Sequence, residues 1–330
     1  MKNISMILFF MMLVTSTLIT INSETWLGMW MGMEINLIAF LPIMYKTKNT
    51  PASESCMIYF LIQSMGSILM LMAVLNNMLF MISPVMNNML FNMLLMFSMM
   101  IKLGIPPFHF WFPEILNKMN WFNGAIIMSW QKINPLVVLS YIMINIMPAI
   151  IMITVIVGAM GGLNQTSIRK IMAYSSINHM GWMLACMKFN NEMWMNYLMI
   201  YMFIILIMCL FFYSYSMFYI NNMINNNMSL IEKFTLTSLF MSLGGLPPFL
   251  GFLPKWMVIS NMITTESFLL LSFMIISSLI ILFFYLRLIS SNMMIYSSSM
   301  KFTTYYDKYY LMMFILIINL TLPVLAAFSF

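Results

Sequence analysis

Residues 104–114 read GIPPFHFWFPE, and residues 245–255 read GLPPFLGFLPK. Gly, Pro, Pro, Phe and the later Pro coincide in register and Ile faces Leu, so the chain carries an internal repeat. In each copy tandem prolines remove two main-chain donors and clash with the preceding turn, while the adjacent glycine tolerates the distorted backbone. Gly104, Pro106 and Pro107, and again Gly245, Pro247 and Pro248, therefore read as helix breaks.

The rest of the chain identifies the solvent around those breaks. Of its 330 residues, 63% are hydrophobic and 7% charged, a balance that no soluble domain needs to cover its surface. Apolar runs bounded by Asn, Ser, Lys or Pro place spans near 3–22, 25–45, 55–76, 87–112, 122–143, 147–163, 170–188, 194–219, 234–262, 267–289 and 309–327. The expected fold is an all-α polytopic membrane protein of about eleven transmembrane helices. The Asn-rich segment 220–229 reads as its clearest loop, and the apolar start ISMILFFMMLVTSTLIT as a first span that is retained.

In this order the fourth and ninth helices are the discontinuous ones. An odd offset makes the two copies run through the membrane in opposite directions. That predicts two inverted five-helix repeats, 1–145 and 146–292, then a C-terminal loop and helix over 293–330, all within one membrane domain. Paired broken helices point to a transport site near the midplane, because freed carbonyls there need side chains or water in a protein-lined cavity.

Charges supply an orientation. With the amino terminus on one side, that side collects Lys2, Lys46, Lys48, Lys118, Arg169, Lys170, Lys233, Arg287, Lys301 and Lys308, and the other only Lys188. The positive-inside rule puts the rich side in the matrix or cytoplasm, with Lys118, Arg169 and Lys170 as anchors and the carboxyl terminus opposite.

Lys102, Lys132, Lys255 and Glu34 instead fall inside apolar stretches. A lysine at the centre of a span costs about 2.5–3.5 kcal/mol, so these residues are expected to pair, to titrate, or both. Burial disfavours an ammonium and a nearby carboxylate restores it, so a lysine whose partner can approach or withdraw is a proton switch. Glu34 with Lys102 is the expected pair. Shifted by the repeat offset, Glu34 and Lys132 fall on Ser175 and Phe273, so this switch belongs to the first half alone. Snorkelling to an interface is the competing reading for the lysines. His109 reads as a partner for freed backbone groups; His179, one turn after Ser175 and Ser176, reads either as structure or as part of a hydrated path.

Other chemistry is unsupported. The three cysteines share no short spacing with one another or with a histidine, so neither a disulfide framework nor a metal site is expected. Phosphate loops, nucleotide fingerprints and iron–sulfur motifs are absent from the sequence, and no nucleic-acid partner is expected. The 47 methionines and the Asn-rich runs fit an organelle-encoded chain.

The ordered set LGMWMGMEINLIAF, KLGIPPFHFWFPE, SWQKINPL, GGLNQTSIRKIMAYSSINHMGWM and GGLPPFLGFLPKW resembles the antiporter-like subunit family of respiratory complex I, in particular subunit 2 of mitochondrial NADH dehydrogenase in its shortened animal form. The resemblance implies a proton-translocating membrane-arm subunit in the inner mitochondrial membrane, with Glu34 as switch carboxylate, Lys102 its partner, Lys132 the central lysine and Lys255 the lysine of the second broken helix. It implies no cofactor on this chain: NADH, FMN, iron–sulfur clusters and ubiquinone would belong elsewhere in the complex. Neighbouring membrane-arm subunits and lipids such as cardiolipin are the implied partners. A stand-alone cation/proton antiporter and a purely structural spacer are the alternatives.

Overall fold

The computed structural model describes residues 2–45, 49–79, 84–142, 147–189, 192–225, 228–294 and 312–320. Lys46, Lys48, Lys301, Lys308, the loop after residue 294 and both ends of the expected last span lie outside these residues. Two compact units divide the chain, residues 1–147 and 148–330. The first holds α1 (Lys2–Asn22), α2 (Trp26–Met44), α3 (Thr50–Leu79), α4 (Pro84–Leu103), α5 (Trp111–Lys118), α6 (Trp121–Met128), a 3₁₀ turn (Trp130–Lys132) and α7 (Ile133–Ser140). The second holds α8 (Met147–Gly162), α9 (Ile168–Phe189), α10 (Met193–Ser214), α11 (Ile220–Asn225), α12 (Leu230–Gly244), α13 (Phe252–Thr264), α14 (Phe268–Met294) and a helical stretch over 312–320.

Among the described residues, five helices are long and apolar enough to cross a membrane: α1, α2, α3, α10 and α14. α9 is long enough, but it carries Arg169, Lys170, Asn178 and His179. Its middle, Ser175 to Met187, is buried throughout, so the polar groups there face protein and not lipid.

Both breaks fold in the same way. α4 ends at Gly104, φ +69°, where Ile105 N–H donates to Met100 O at 3.0 Å and Gly104 N–H to Ile101 O at 3.3 Å. α12 ends at Gly245, φ +76°, where Leu246 N–H donates to Met241 O at 3.2 Å and Gly245 N–H to Ser242 O at 3.0 Å. This paired closure around a left-handed glycine is a Schellman cap. The correspondence continues downstream, with Phe108 N–H on Ile105 O and Phe249 N–H on Leu246 O, before α5 and α13 resume at matching positions. Glycine thus terminates each helix, and the prolines that follow keep it from restarting for several residues.

Two expectations need correction. The span at 122–143 is not one helix but α6, the 3₁₀ turn and α7. Pro135 offers no N–H to the carbonyl of Gln131 and its ring crowds that carbonyl, so the helix reforms only after Ser129, whose φ and ψ are −112° and −78°. Lys132 consequently sits at a third break. The Asn-rich loop at 220–229 begins with α11, a short helix held by the Ser167–Tyr219 bridge, by Ile220 N–H on Thr166 O, and by the buried Met223.

Arg287, one of the charges on the positive side, ties two elements together. Its guanidinium donates to Leu163 O at 2.6 Å and Gln165 O at 3.0 Å, tying α14 to the chain just past α8. Arg287→Gln is expected to lower stability by about 1.5–3 kcal/mol, the worth of hydrogen bonds to a charged group. Thermal inactivation of the assembled protein in its membrane would register the loss, and an unchanged midpoint would contradict it.

Candidate functional site

In the first unit, Lys102 occupies the last turn of α4, immediately before the glycine, and is 6% exposed. Its Nζ donates to Met33 Sδ at 3.7 Å, and its carbonyl accepts from Gln63 Nε2 of α3 at 3.0 Å. Glu34 is the residue after Met33 on α2. Lys102 and Glu34 are not in ion-pair contact. Glu34 is half-buried, and its Oε1 is enclosed without a hydrogen-bond partner.

Beside Lys102 lies a cavity of about 20 Å³ lined by Asn36, Tyr59, Gln63, Gln131 and Asn134 together with Met33, Leu37 and Pro135. A space of that size admits water. Its amides are joined across helices distant in sequence. Tyr59 OH donates to Gln131 Oε1 at 3.3 Å, Gln131 Nε2 to Asn36 Oδ1 at 2.9 Å, and Thr20 Oγ1 to Asn134 Oδ1 at 2.9 Å. Asn134 Nδ2 is buried without a partner and is therefore a donor in reserve.

Lys132 adjoins this network through its neighbours Gln131 and Asn134. It is 3% exposed, and its Nζ lies 5.6 Å from the centre of the Phe112 ring, a residue of α5 beyond the first break. The third break is what turns Gln131, Lys132 and Asn134 inward together, since α6 and α7 are separate helices at this point.

The second unit carries Lys255 on α13, 5% exposed. Its ammonium donates to Gly244 O at 2.8 Å and Leu243 O at 3.4 Å, the last carbonyls of α12, and lies 5.6 Å from the Trp182 ring centre. Cations are favoured at a helix C-terminus, and here the cation directly supplies the donors that the break withholds. The 312–320 helix supplies an acceptor on the other side of the break, since Asn319 O accepts from Leu250 N–H at 3.2 Å. The matching position to Lys255 in the first unit is Glu114, which pairs with Lys118 at 2.8 Å; Glu54 of α3 pairs with the same lysine at 2.6 Å.

His179 is buried on α9, with Nδ1 2.8 Å from Tyr197 OH and its ring 4.9 Å from that of Tyr201. Ser175 and Ser176 donate to the carbonyls of Met172 and Ala173 in their own helix, keeping only acceptor capacity for other partners. His109 packs its ring on Phe110. Lys102, Lys132 and Lys255 are all buried inside protein, which is not the geometry of a side chain snorkelling to an interface.

A conserved-family description fits residues 23–281: "NADH:quinone oxidoreductase/Mrp antiporter, TM". NADH-ubiquinone oxidoreductase chain 2 of Anopheles gambiae is 45% identical over 276 residues, covering 82% of this chain and 81% of the relative. The chain belongs to the NADH-ubiquinone oxidoreductase chain 2 family. Other chain 2 relatives include that of Aedes aegypti, 48% identical with 82% and 81% covered, and that of Bos taurus, 37% identical with 82% and 80% covered. The fold is shared more widely. A chain of respiratory complex I from Thermus thermophilus superposes with TM-score 0.82 at 16% identity, covering 98% of this chain and 78% of the other. A chain of the Mrp complex from Dietzia gives TM-score 0.74 at 15% identity, covering 86% and 59%.

The sequence of this chain 2 protein points to Glu34, Lys102, Lys132, Lys255, His109 and His179, but not to Asn36, Tyr59, Gln63, Trp182, Tyr197 or Asn319. Polar residues recurring on one face of an apolar span were the available signal: Tyr59 and Gln63 are one turn apart in α3.

Proposed function

We infer that this chain is a membrane-arm subunit of respiratory complex I, taking part in proton translocation across the inner mitochondrial membrane as NADH is oxidised by ubiquinone. The carrying observation is a buried lysine at a glycine-terminated helix break, opening on an amide-lined cavity that admits water, in a chain of the complex I chain 2 family. Such a lysine can hold or release a proton without leaving the protein interior.

In this reading Glu34 and Lys102 form the switch. Their separation in the structure supports an arrangement in which water, and not a direct ion pair, connects carboxylate to ammonium. Lys132 exchanges protons with the amide-lined cavity, and Lys255 and His179 serve the second half. The chain acts as part of NADH:ubiquinone reductase without a redox centre of its own; NADH, FMN, iron–sulfur clusters and ubiquinone are handled by other subunits. About eleven spans arranged as two inverted repeats over 1–145 and 146–292, with 293–330 beyond them, put the amino terminus in the matrix and the carboxyl terminus in the intermembrane space. Partners are the adjacent membrane-arm subunits and anionic lipids such as cardiolipin. A free-standing antiporter is not favoured, since the relatives at 37–48% identity bear the complex I name and likeness to an Mrp chain is one of fold alone.

Glu34→Gln tests the assignment. It preserves shape and removes only the ability to ionise, so the proton-to-electron ratio of the assembled complex is expected to fall while electron transfer with an uncoupler persists. A ratio equal to that of the unmodified complex would remove Glu34 from the mechanism.

A further inference from the structure

We propose that Gly66, in the middle of α3, is a positioning residue for Lys102: the space left by its missing side chain seats the lysine stem and so sets where the ammonium lies. The inference rests on reading Lys102 as a proton-exchanging group. A Cβ at Gly66 would lie 2.8 Å from Lys102 Cγ and 3.3 Å from Cε. Carbon atoms in contact sit at about 3.5–4.0 Å, so alanine cannot be added without displacing the stem.

The surrounding structure makes this seat specific. Tyr59, Gln63 and Gly66 fall at i, i+4 and i+7, on one face of α3. Tyr59 joins the amide network at Gln131, Gln63 binds the Lys102 carbonyl, and Gly66 receives the side chain that springs from the same residue. One stripe of one helix thus holds both the main chain and the stem of Lys102. The main chain is fixed a second time by the Schellman cap at Gly104, so a crowded Lys102 can yield only through its side chain. Its Nζ would then leave Met33 Sδ and change its relation to Glu34 and the cavity.

Nothing in the backbone asks for glycine at this position. Gly66 lies within a continuous helix and has no left-handed φ, and glycine there is less favourable than alanine. At the second break, Lys255 also lies along a glycine, with a Cβ at Gly245 only 2.6 Å from its Cδ and 2.9 Å from its Nζ. There, however, φ of +76° already demands glycine. Gly66 is the position where the seat can be altered without touching a turn. The competing explanation is close helix packing, since the same Cβ would come within 3.2 Å of Ser98 O on α4.

A double-mutant cycle in the assembled complex, in its native membrane, separates the two. Gly66→Ala, Lys102→Met and the double variant are compared for assembly and for proton-coupled turnover across pH. If Gly66 acts through Lys102, Gly66→Ala slows coupled turnover about tenfold and moves the midpoint of its pH profile by about one unit. The double variant is then no worse than Lys102→Met alone. Additive losses, or an unshifted pH profile in Gly66→Ala, overturn the proposal. Should Gly66→Ala fail to assemble, Gly66→Ala with Lys102→Ala removes the clashing Cγ: restored assembly supports the seat, and continued failure refutes it. Normal pumping by Lys102→Met would instead defeat the reading of Lys102 as a carrier, and the assembly rescue would still decide whether Gly66 seats it.

Discussion

Lys102→Met is expected to assemble normally and to lose proton-coupled turnover by at least about 10²-fold, the lower range for removing a positioned proton-transfer group. Lys102 is 6% exposed, and its ammonium donates to a thioether and has no carboxylate in ion-pair contact. Removing it leaves only a weak thioether acceptor without its donor and relieves the cost of burying a charge, so stability should not fall. Lys102→Arg separates a fixed charge from a proton carrier. Arginine keeps the positive charge but cannot be deprotonated in a protein, so it should fail as methionine does. Full pumping by the arginine variant, measured as proton-to-electron ratio in sealed membranes, would show that Lys102 acts by charge alone.

Lys255→Met should behave in the opposite way, losing stability first. Its ammonium supplies hydrogen bonds to Gly244 O and Leu243 O at the end of α12, in a buried setting where lipid cannot replace them. Removing it leaves those carbonyls without that donor and costs about 2 kcal/mol, net of the relief from burying a charge. The expected result is reduced assembly and a lower thermal midpoint, with partial recovery in Lys255→Arg, whose donors can reach the same carbonyls. Wild-type stability in Lys255→Met would mean that the break is self-supporting and that the bonds seen here add nothing.

These contrasting expectations could not be drawn from the repeat. The two copies align, yet Lys102 precedes its glycine and Lys255 follows its own by ten positions. In the structure this places one ammonium beside a cavity and the other on the carbonyls of the preceding helix. The Lys132 segment was harder still to read. SWQKINPL looks like the interior of an apolar span, and Pro135 was the signal that the helix is interrupted over the preceding residues 129–132. Lys118, read as an anchor, is engaged by Glu54 and Glu114, and both hydrogen bonds raise its pKa. A raised lysine pKa contributes stability that is complete below the ordinary lysine range and lost only as pH rises through the shifted value, so this trio is insensitive to pH near neutrality.

From sequence alone came the apolar all-helical class, the two glycine–proline breaks and the short set of charges that a bilayer would not tolerate without a role. Those features depend on consecutive residues: φ at a glycine, the missing N–H of a proline and the cost of a charge are properties of the local chain. Tertiary structure alone decided what each charge touches. Gln63 reaches Lys102 from 39 residues away, Gln131 reaches Asn36 from 95, and Thr20 reaches Asn134 from 114. Such pairings follow from which helices pack together and at what rotation, and packing of near-uniform apolar faces leaves little periodic trace in a sequence whose lipid side and core side are both hydrophobic.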